Sequence, residues 1–194
     1  MIENGKFSAA PLRAGFVHPV ARRIHPLTAY AFGHERLRDP SGPPTFLWFG
    51  EFRDGAVWCK RDGTDDEPTH LFDRPGITMI SMAFDLAMVP VVSFEDEQGS
   101  WIWWYDSIAE AYSTTKVDGR SPFVAMDDRR VEQTALADVI LTYLRGDKVY
   151  QRIQRDRYTI EYTEQPPGVV LTDKCRITAF AMNTGNRMQW RIRP

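Results

Sequence analysis

Aromatic side chains that could stack on a sugar are concentrated in one short run, residues 101–105. In a β-strand, successive side chains point to opposite faces of the sheet. Alternation therefore places Trp101, Trp103 and Tyr105 on one face. Ile102 and Trp104 fall on the other face. Either the first face is a platform that binds glycans, or both faces are buried beneath neighbouring sheets or a neighbouring subunit.

Charged side chains form a second candidate group. Basic residues are frequent in residues 145–157, whereas residues 95–97 and 65–67 are acidic. These charges either lie on solvated strand faces and turns, or they complement one another between neighbouring copies in a ring. The candidate residues for an interface or a glycan site are therefore Trp101, Trp103, Tyr105, Arg152, Arg155 and Arg157.

Residues that could perform catalysis do not occur in recognisable spacings. The sequence contains no G-x-S-x-G, G-x-x-x-x-G-K-[ST] or H-E-x-x-H motif. The two cysteines, Cys59 and Cys175, are too few for a structural zinc site, and the four histidines lack close metal-ligand spacing. Carboxylates are plentiful, but the sequence does not select a facing pair. We therefore predict no enzyme activity, no catalytic residue, no metal and no cofactor.

The charge balance argues against nucleic acid as a direct partner. The 194 residues include 24 Lys and Arg against 26 Asp and Glu, which gives a net charge of −2. A balanced chain lacks the positive field that draws proteins to nucleic acids. No apolar run approaches the ~20 residues that a membrane span needs. The first residues also lack the charged and apolar regions of a secretory signal, so we expect synthesis in the cytoplasm.

Three stretches of similar pattern predict the elements that position these residues. Each reads as strand, glycine turn, strand and closing aspartate, and the aspartates are Asp62, Asp106 and Asp156. Their spacings of 44 and 50 residues lie in the range of β-propeller blades. The sequence therefore predicts an all-β fold with a small or incomplete propeller-like domain of about three antiparallel blades.

The pattern also divides the chain. Residues 1–44 contain six prolines, which predicts an extended N-terminal arm or cap, with a candidate strand at residues 27–32. Residues 45–194 form the predicted repeat domain, with units at 45–75, 77–119 and 122–163 and a closing hairpin at 169–192. The aromatic residues expected in the core or in contacts between units are Phe49, Trp58, Phe94, Trp104, Tyr143 and Tyr150.

Several phrases of the sequence resemble a known class of protein. They are residues 82–92, Trp103-Trp104-Tyr105-Asp106, residues 139–152 and Gln154-Arg155-Asp156-Arg157-Tyr158, followed by the terminal pattern of residues 182–190. Together they resemble virion proteins of tailed bacteriophages, over roughly residues 77–192. The phrase at residues 154–158 is the most distinctive of them.

The resemblance implies a structural component of a phage tail or neck that assembles into, or docks on, a symmetric ring through its arm and blade faces. It implies other virion structural proteins as partners and the virion as the final location, after synthesis in the host cytoplasm. The alternative is a glycan-binding receptor module at the tail periphery, in which the exposed aromatics would bind a host-surface glycan.

Overall fold

The computed structural model describes residues 21–22, 25–33, 46–85, 87–126, 138–164, 170–183 and 187–193. In these ranges the chain forms β-strands joined by turns, with one short 3-10 helix at Gln154–Asp156. The prediction of an all-β fold is confirmed. No helix in the described ranges has the length and apolar character that a membrane crossing requires.

The strands are numbered in chain order. The first five are β1 Ala21–Arg22, β2 Thr28–Gly33, β3 Phe46–Arg53, β4 Ala56–Arg61 and β5 Thr69–Asp73. The next four are β6 Met79–Phe84, β7 Pro90–Asp96, β8 Gly99–Asp106 and β9 Ala111–Val117. The last six are β10 Arg120–Met126, β11 Val139–Arg145, β12 Lys148–Ile153, β13 Tyr162–Glu164, β14 Arg176–Asn183 and β15 Arg187–Arg193.

Within the described residues, the strands form three antiparallel sheets. The first sheet has the order β15-β14-β1-β2-β3-β4-β5, the second β6-β7-β8-β9 and the third β10-β11-β12-β13. Strands β2 to β5 are themselves a four-stranded meander, like the whole of the second and third sheets. The chain therefore builds three consecutive meanders of four strands and a hairpin, β14-β15, which β1 joins to the first meander.

The repeated hairpins of the sequence are the middle hairpins of these meanders. They correspond to β3-β4, β7-β8 and β11-β12, with turns at Gly55, Gly99 and Gly146 that all have positive φ. Glycine suits such turns because it has no Cβ to clash in the left-handed region. Each of the three aspartates lies at or just after the third strand of its meander. Asp106 is the last residue of β8, whereas Asp62 and Asp156 follow β4 and β12.

The structure divides the N-terminal part of the chain differently from the sequence prediction. Strand β2 pairs along its length with β3, from Thr28 opposite Glu51 to Gly33 opposite Phe46. Strands β1 and β2 therefore belong to the first sheet, and the first meander begins at residue 28 instead of residue 45. Most of the rest of the predicted arm, residues 1–20, 23–24 and 34–44, lies outside the described residues.

The sheets stack face to face with apolar layers between them. The layer between the first and second sheets contains Ala29, Cys59, Met82, Phe94 and Trp103. The layer between the second and third sheets contains Ala83, Trp104, Leu141, Tyr143 and Tyr158. The third layer joins the third sheet to the β14-β15 hairpin through Phe123, Ile140, Val149, Cys175 and Ile177. The second and third sheets are thus buried on both faces.

The first strands of successive meanders contact one another directly. The Ser81 hydroxyl of β6 accepts a hydrogen bond from the Val124 N–H of β10 at 3.2 Å. The Ser121 hydroxyl of β10 accepts one from the Ile177 N–H of β14 at 2.7 Å. Small polar side chains therefore bridge buried backbones where neighbouring sheets approach closely. Both serines are fully buried.

Candidate interaction surface

The aromatic face of β8 is directed toward the first sheet. Trp103 is 7% exposed and belongs to the apolar layer there. Its ring stacks on Tyr112 with centroids 4.0 Å apart and contacts Phe72 at 4.8 Å. Ile102 and Trp104 face the third sheet, as the alternation predicts. Trp103 is therefore a core residue, and its ring face is not accessible to a sugar.

Trp101 lies at the border of the same face, beside a cation. Its indole N–H donates to Asp96 at 3.0 Å, and the Arg74 guanidinium lies 4.8 Å from its ring centroid. Arg74 also binds Asp96 through Nε at 2.7 Å. Burial acts to raise the pKa of Asp96, but hydrogen bonds from Trp101 and Arg74 outweigh it and leave that pKa below its usual value. Trp101 is therefore fixed inside an intramolecular cluster.

A shallow cleft of about 360 Å³ opens beside this cluster. Its walls are Arg74, Pro75, Gly76, Asp96, Glu97 and Gln98. Arg74 and Asp96 already satisfy one another across it, and Arg74 donates a further hydrogen bond to Gln98 at 3.1 Å. The cleft thus separates the β5-β6 turn from the β7-β8 turn, and an ion pair spans it.

The accessible part of the aromatic run lies at the end of β8. Tyr105 makes an edge contact with Tyr112 at 5.3 Å, and Tyr112 is 47% exposed. Ile108, in the following turn, is 74% exposed. These three side chains form an exposed apolar rim, of which the sequence prediction named Tyr105 alone.

Arg152 lies in a network on the third sheet and is not a free surface charge. Its guanidinium contacts Glu161 at 3.4 Å and the Tyr143 hydroxyl at 3.1 Å. Arg145 donates to Glu161 at 2.5 Å, and the Tyr143 hydroxyl also donates to that carboxylate. Burial acts to raise the pKa of Glu161, but its hydrogen bonds from Tyr143 and both arginines leave that pKa below its usual value.

Arg155 and Arg157 also have carboxylate partners within the chain. Arg155 lies 2.6 Å from Asp138. Arg157 donates to Asp106 through Nε at 3.1 Å and through its terminal nitrogen. All three arginines of the predicted interface are therefore engaged in intramolecular ion pairs. The sequence analysis did not name these carboxylate partners, and the placement of the three arginines at an interface or a glycan site stays a prediction.

The Arg157 contact is part of an unusual turn in the most distinctive phrase of the sequence. Arg157 and Tyr158 both have positive φ, at 53° and 55°, directly after the 3-10 helix. This turn buries the Tyr158 ring between the second and third sheets, where it meets Trp104 edge-on at 5.2 Å. Non-glycine residues rarely adopt this conformation, so tertiary contacts must stabilise it. The turn therefore fastens the third sheet to the second.

Sequence reasoning missed the residues that complete these clusters, chiefly Arg74, Asp96, Tyr112 and Glu161. The sequence pattern could have identified Tyr112, because the short turn after β8 places Tyr112 directly opposite Tyr105 in the β8-β9 pair. Arg74 lies in the β5-β6 turn and Asp96 ends β7, 22 residues later in the chain. No local pattern marks that pairing, nor the one between Glu161 and its arginines.

Three of the six aromatic residues expected in the core are fully buried, namely Phe94, Trp104 and Tyr143. The others, Phe49, Trp58 and Tyr150, are partly buried and contact aromatic neighbours.

In the described ranges no three histidine, cysteine or acidic side chains form a group that could hold a metal ion. Both cysteines are buried thiols, and burial raises the pKa of Cys59 to about 11.

The outer strand of the second sheet, β9, is largely accessible. Its residues Ala111, Tyr112, Thr114 and Lys116 are exposed, and only Val117 is buried among its seven residues. One long side of its backbone pairs with β8, and in the described residues no strand pairs with the other side.

Comparison with known proteins adds no relative: no family model, curated protein or solved structure matches the chain.

Proposed function

We propose that this protein is a structural component of a tailed-phage virion, which assembles into or docks on a tail or neck ring. The observation that carries the proposal is the position of the phrase at residues 154–158. It is the most distinctive part of the resemblance to phage virion proteins, and it forms the turn that fastens the second and third sheets. The resemblance therefore rests on residues that determine how this fold is held together.

We infer that the stack of meanders is an incomplete, propeller-like arrangement. Strands β2, β6, β10 and β14 contact one another in succession, as the innermost strands of propeller blades do. The outermost strand of each meander, β5, β9 or β13, ends its sheet. A rigid stack with outer strands at its periphery suits a subunit that is held by neighbours in a particle.

The arrangement of the arginines refines the mode of assembly. Arg152, Arg155 and Arg157 each bind a carboxylate of the same chain, so they stabilise the subunit itself. Docking then depends on strand edges and on the exposed rim of Tyr105, Ile108 and Tyr112. The N-terminal arm remains a further proposed docking element, restricted to the residues before β1.

The alternative function, a glycan-binding module, loses its main support. A platform of Trp101, Trp103 and Tyr105 needs three accessible rings, but Trp103 is buried and Trp101 lies against Arg74. Tyr105 and Tyr112 meet edge-on and present no continuous flat surface. The observations thus favour assembly over sugar binding.

The two functions are separated by measuring the mass of the purified protein by light scattering, together with titration of soluble sugars monitored by tryptophan fluorescence. We expect a defined oligomer and no saturable quenching. The matched variant lacks residues 1–20 and so keeps β1 and β2, which the first sheet needs. A monomer at all concentrations, with saturable quenching by a sugar, would overturn the proposal in favour of the glycan module.

A further inference from the structure

The outer edges of the three sheets differ in how well they are protected against pairing. Strand β13 has three residues, and β15 contains Arg187, Arg191 and Arg193. Strand β5 has five residues, a histidine paired with Asp73 and a register irregularity where it meets β4. Short length, charge and bulges are the usual devices that keep an edge strand from pairing.

Strand β9 is the least protected of these outer strands. It has seven residues, Ala-Tyr-Ser-Thr-Thr-Lys-Val, with a regular register against β8 and a single charge at Lys116. Threonine and tyrosine favour strands, and the run contains neither proline nor glycine. An edge of this length and composition presents free backbone N–H and C=O groups to any strand that approaches it.

The side chains of β9 that face the first sheet are held in place by β8. Tyr112 stacks on Trp103, and the Lys116 ammonium lies 5.4 Å from the Trp101 ring centroid. Thr114 lies between them, opposite Trp103 in the register. Tyr112, Thr114 and Lys116 therefore form a fixed, exposed row along the edge, with an aromatic ring at one end and a cation at the other.

We propose that β9 is a self-association edge, which pairs antiparallel with β9 of a second copy about a two-fold axis at Thr114. This register places Tyr112 opposite Lys116 of the second copy and Ser113 opposite Thr115 of the second copy. A two-fold axis perpendicular to the sheet keeps equivalent faces on the same side, as an isologous contact requires. The paired edges form one continuous sheet of eight strands.

The chemistry of the row selects a second copy over an unrelated strand. In the two-fold register each Lys116 lies opposite the other copy's Tyr112, so its ammonium lies between Trp101 of its own chain and that second ring, and two cation–π contacts form across the axis. The two Lys116 side chains lie at opposite ends of the pair, so like charges are kept apart. Thr114 meets Thr114 of the second copy at the axis, a pair that cross-strand contacts tolerate well. The row is therefore complementary to itself.

This inference rests on the proposed assembly function, because it names one contact through which copies of the chain would assemble. The pairing itself is tested on the purified full-length chain alone. Thr114→Cys places one thiol at the axis. Residues opposite each other in antiparallel strands have Cβ atoms about 4.5–5.5 Å apart, close to the span of a disulfide. Cys59 and Cys175 are buried and do not compete. Thr163→Cys, at an exposed threonine on the outer strand β13, is the matched control.

Under mild oxidation we expect Thr114→Cys to give a disulfide-linked dimer and Thr163→Cys to stay monomeric on a non-reducing gel. Equal cross-linking of both variants, or none of Thr114→Cys, would overturn the pairing. If the chain is nevertheless found in phage particles, only this inference fails and the proposed function stands.

Light scattering supplies the second measurement. Thr114→Lys places two like charges at the axis, so we expect the dimer dissociation constant to rise about tenfold or more. Thr69→Lys should leave it unchanged. Thermal unfolding of both variants checks that each is folded. A wild-type oligomer that Thr114→Lys leaves intact would show that copies associate elsewhere and would contradict the proposal.

Discussion

Arg157 donates hydrogen bonds to the carboxylate of Asp106, and this ion pair joins the turn after β12 to the end of β8. Asp106 also accepts the N–H groups of Ile108 and Ala109, so the same carboxylate organises the turn before β9. On the other side of the second sheet, Arg74 binds Asp96 at the end of β7. One charged pair therefore joins the second sheet to the third, and the other holds the β5-β6 turn against the second sheet.

Removal of the Arg157 guanidinium should loosen the junction of the second and third sheets. We expect Arg157→Gln to lower the melting temperature, because the Asp106 side chain is nearly inaccessible and would lose its charged partner. Arg53→Gln is the control, since Arg53 pairs with Glu51 at the surface of a single hairpin. Equal melting temperatures for the two variants would show that the Arg157–Asp106 ion pair contributes no more to stability than the surface pair of Arg53 and Glu51.

The buried serine hydroxyls that accept hydrogen bonds between the first strands of neighbouring sheets should contribute measurably to stability. Ser81→Ala leaves the buried Val124 N–H without its partner, which costs about 1–3 kcal/mol of unfolding free energy. Ser93 is as deeply buried, but its hydroxyl has no hydrogen-bond partner within the described residues. Ser93→Ala should therefore be neutral or stabilising in urea unfolding. An equal loss of unfolding free energy in Ser81→Ala and Ser93→Ala would contradict a special role for the Ser81 hydrogen bond.

Trp103 should behave as a core residue. We expect Trp103→Ala to reduce the unfolding free energy by about 3–5 kcal/mol, because it removes a buried ring that stacks on Tyr112. Trp101→Ala should cost less, since Trp101 is only partly buried. Chemical denaturation of both variants makes the comparison. A folded Trp103→Ala variant with wild-type stability would restore the interpretation of this face as a ligand platform.

The Glu161 network should make stability sensitive to acid. The pKa of Glu161 is below its usual value, so its contribution to stability is present above the unfolded pKa of ~4.3 and is lost as pH falls through the folded pKa. We expect Glu161→Gln to lower the melting temperature at pH 7 and to converge with wild type in acid. A constant difference across this range would contradict the assignment.

Cys59 should resist thiol reagents in the folded protein. Burial raises its pKa to about 11, so hardly any thiolate forms at pH 8, and the thiolate is the reactive species. We expect a colorimetric disulfide reagent to modify neither cysteine of the native chain quickly, and to modify both in denaturant. Rapid stoichiometric reaction without denaturant would show that the layer between the first and second sheets opens readily.

Local patterns predicted the strands and hairpins well because they depend on neighbours in sequence. The β7-β8 hairpin needs only alternation around Gly99, and the alternation along β8 gave the correct faces for Trp103 and Trp104. The boundary at residue 44 failed for a different reason. The candidate strand at residues 27–32 was placed inside the arm, but as β2 it pairs with β3 across a proline-rich stretch that hides this long-range contact.

The candidate site was less accessible to sequence reasoning than the fold. Asp106 and Arg157 are 51 residues apart, and the ion pair forms only because the second and third sheets stack. A basic cluster in a sequence looks like a surface patch when its carboxylate partners come from other elements. The row along β9 likewise becomes visible only after the order of strands shows that β9 ends its sheet.

The proposal that this chain is a virion structural component is tested most directly by density-gradient purification of phage particles from cells in which the gene is expressed with the genes that flank it. Peptide mass spectrometry then compares the amount of this chain with that of the major particle proteins. We predict that it bands with the particles at a fixed ratio that survives high salt. Recovery of the chain only in the soluble fraction, with particles that lack it, would contradict the account.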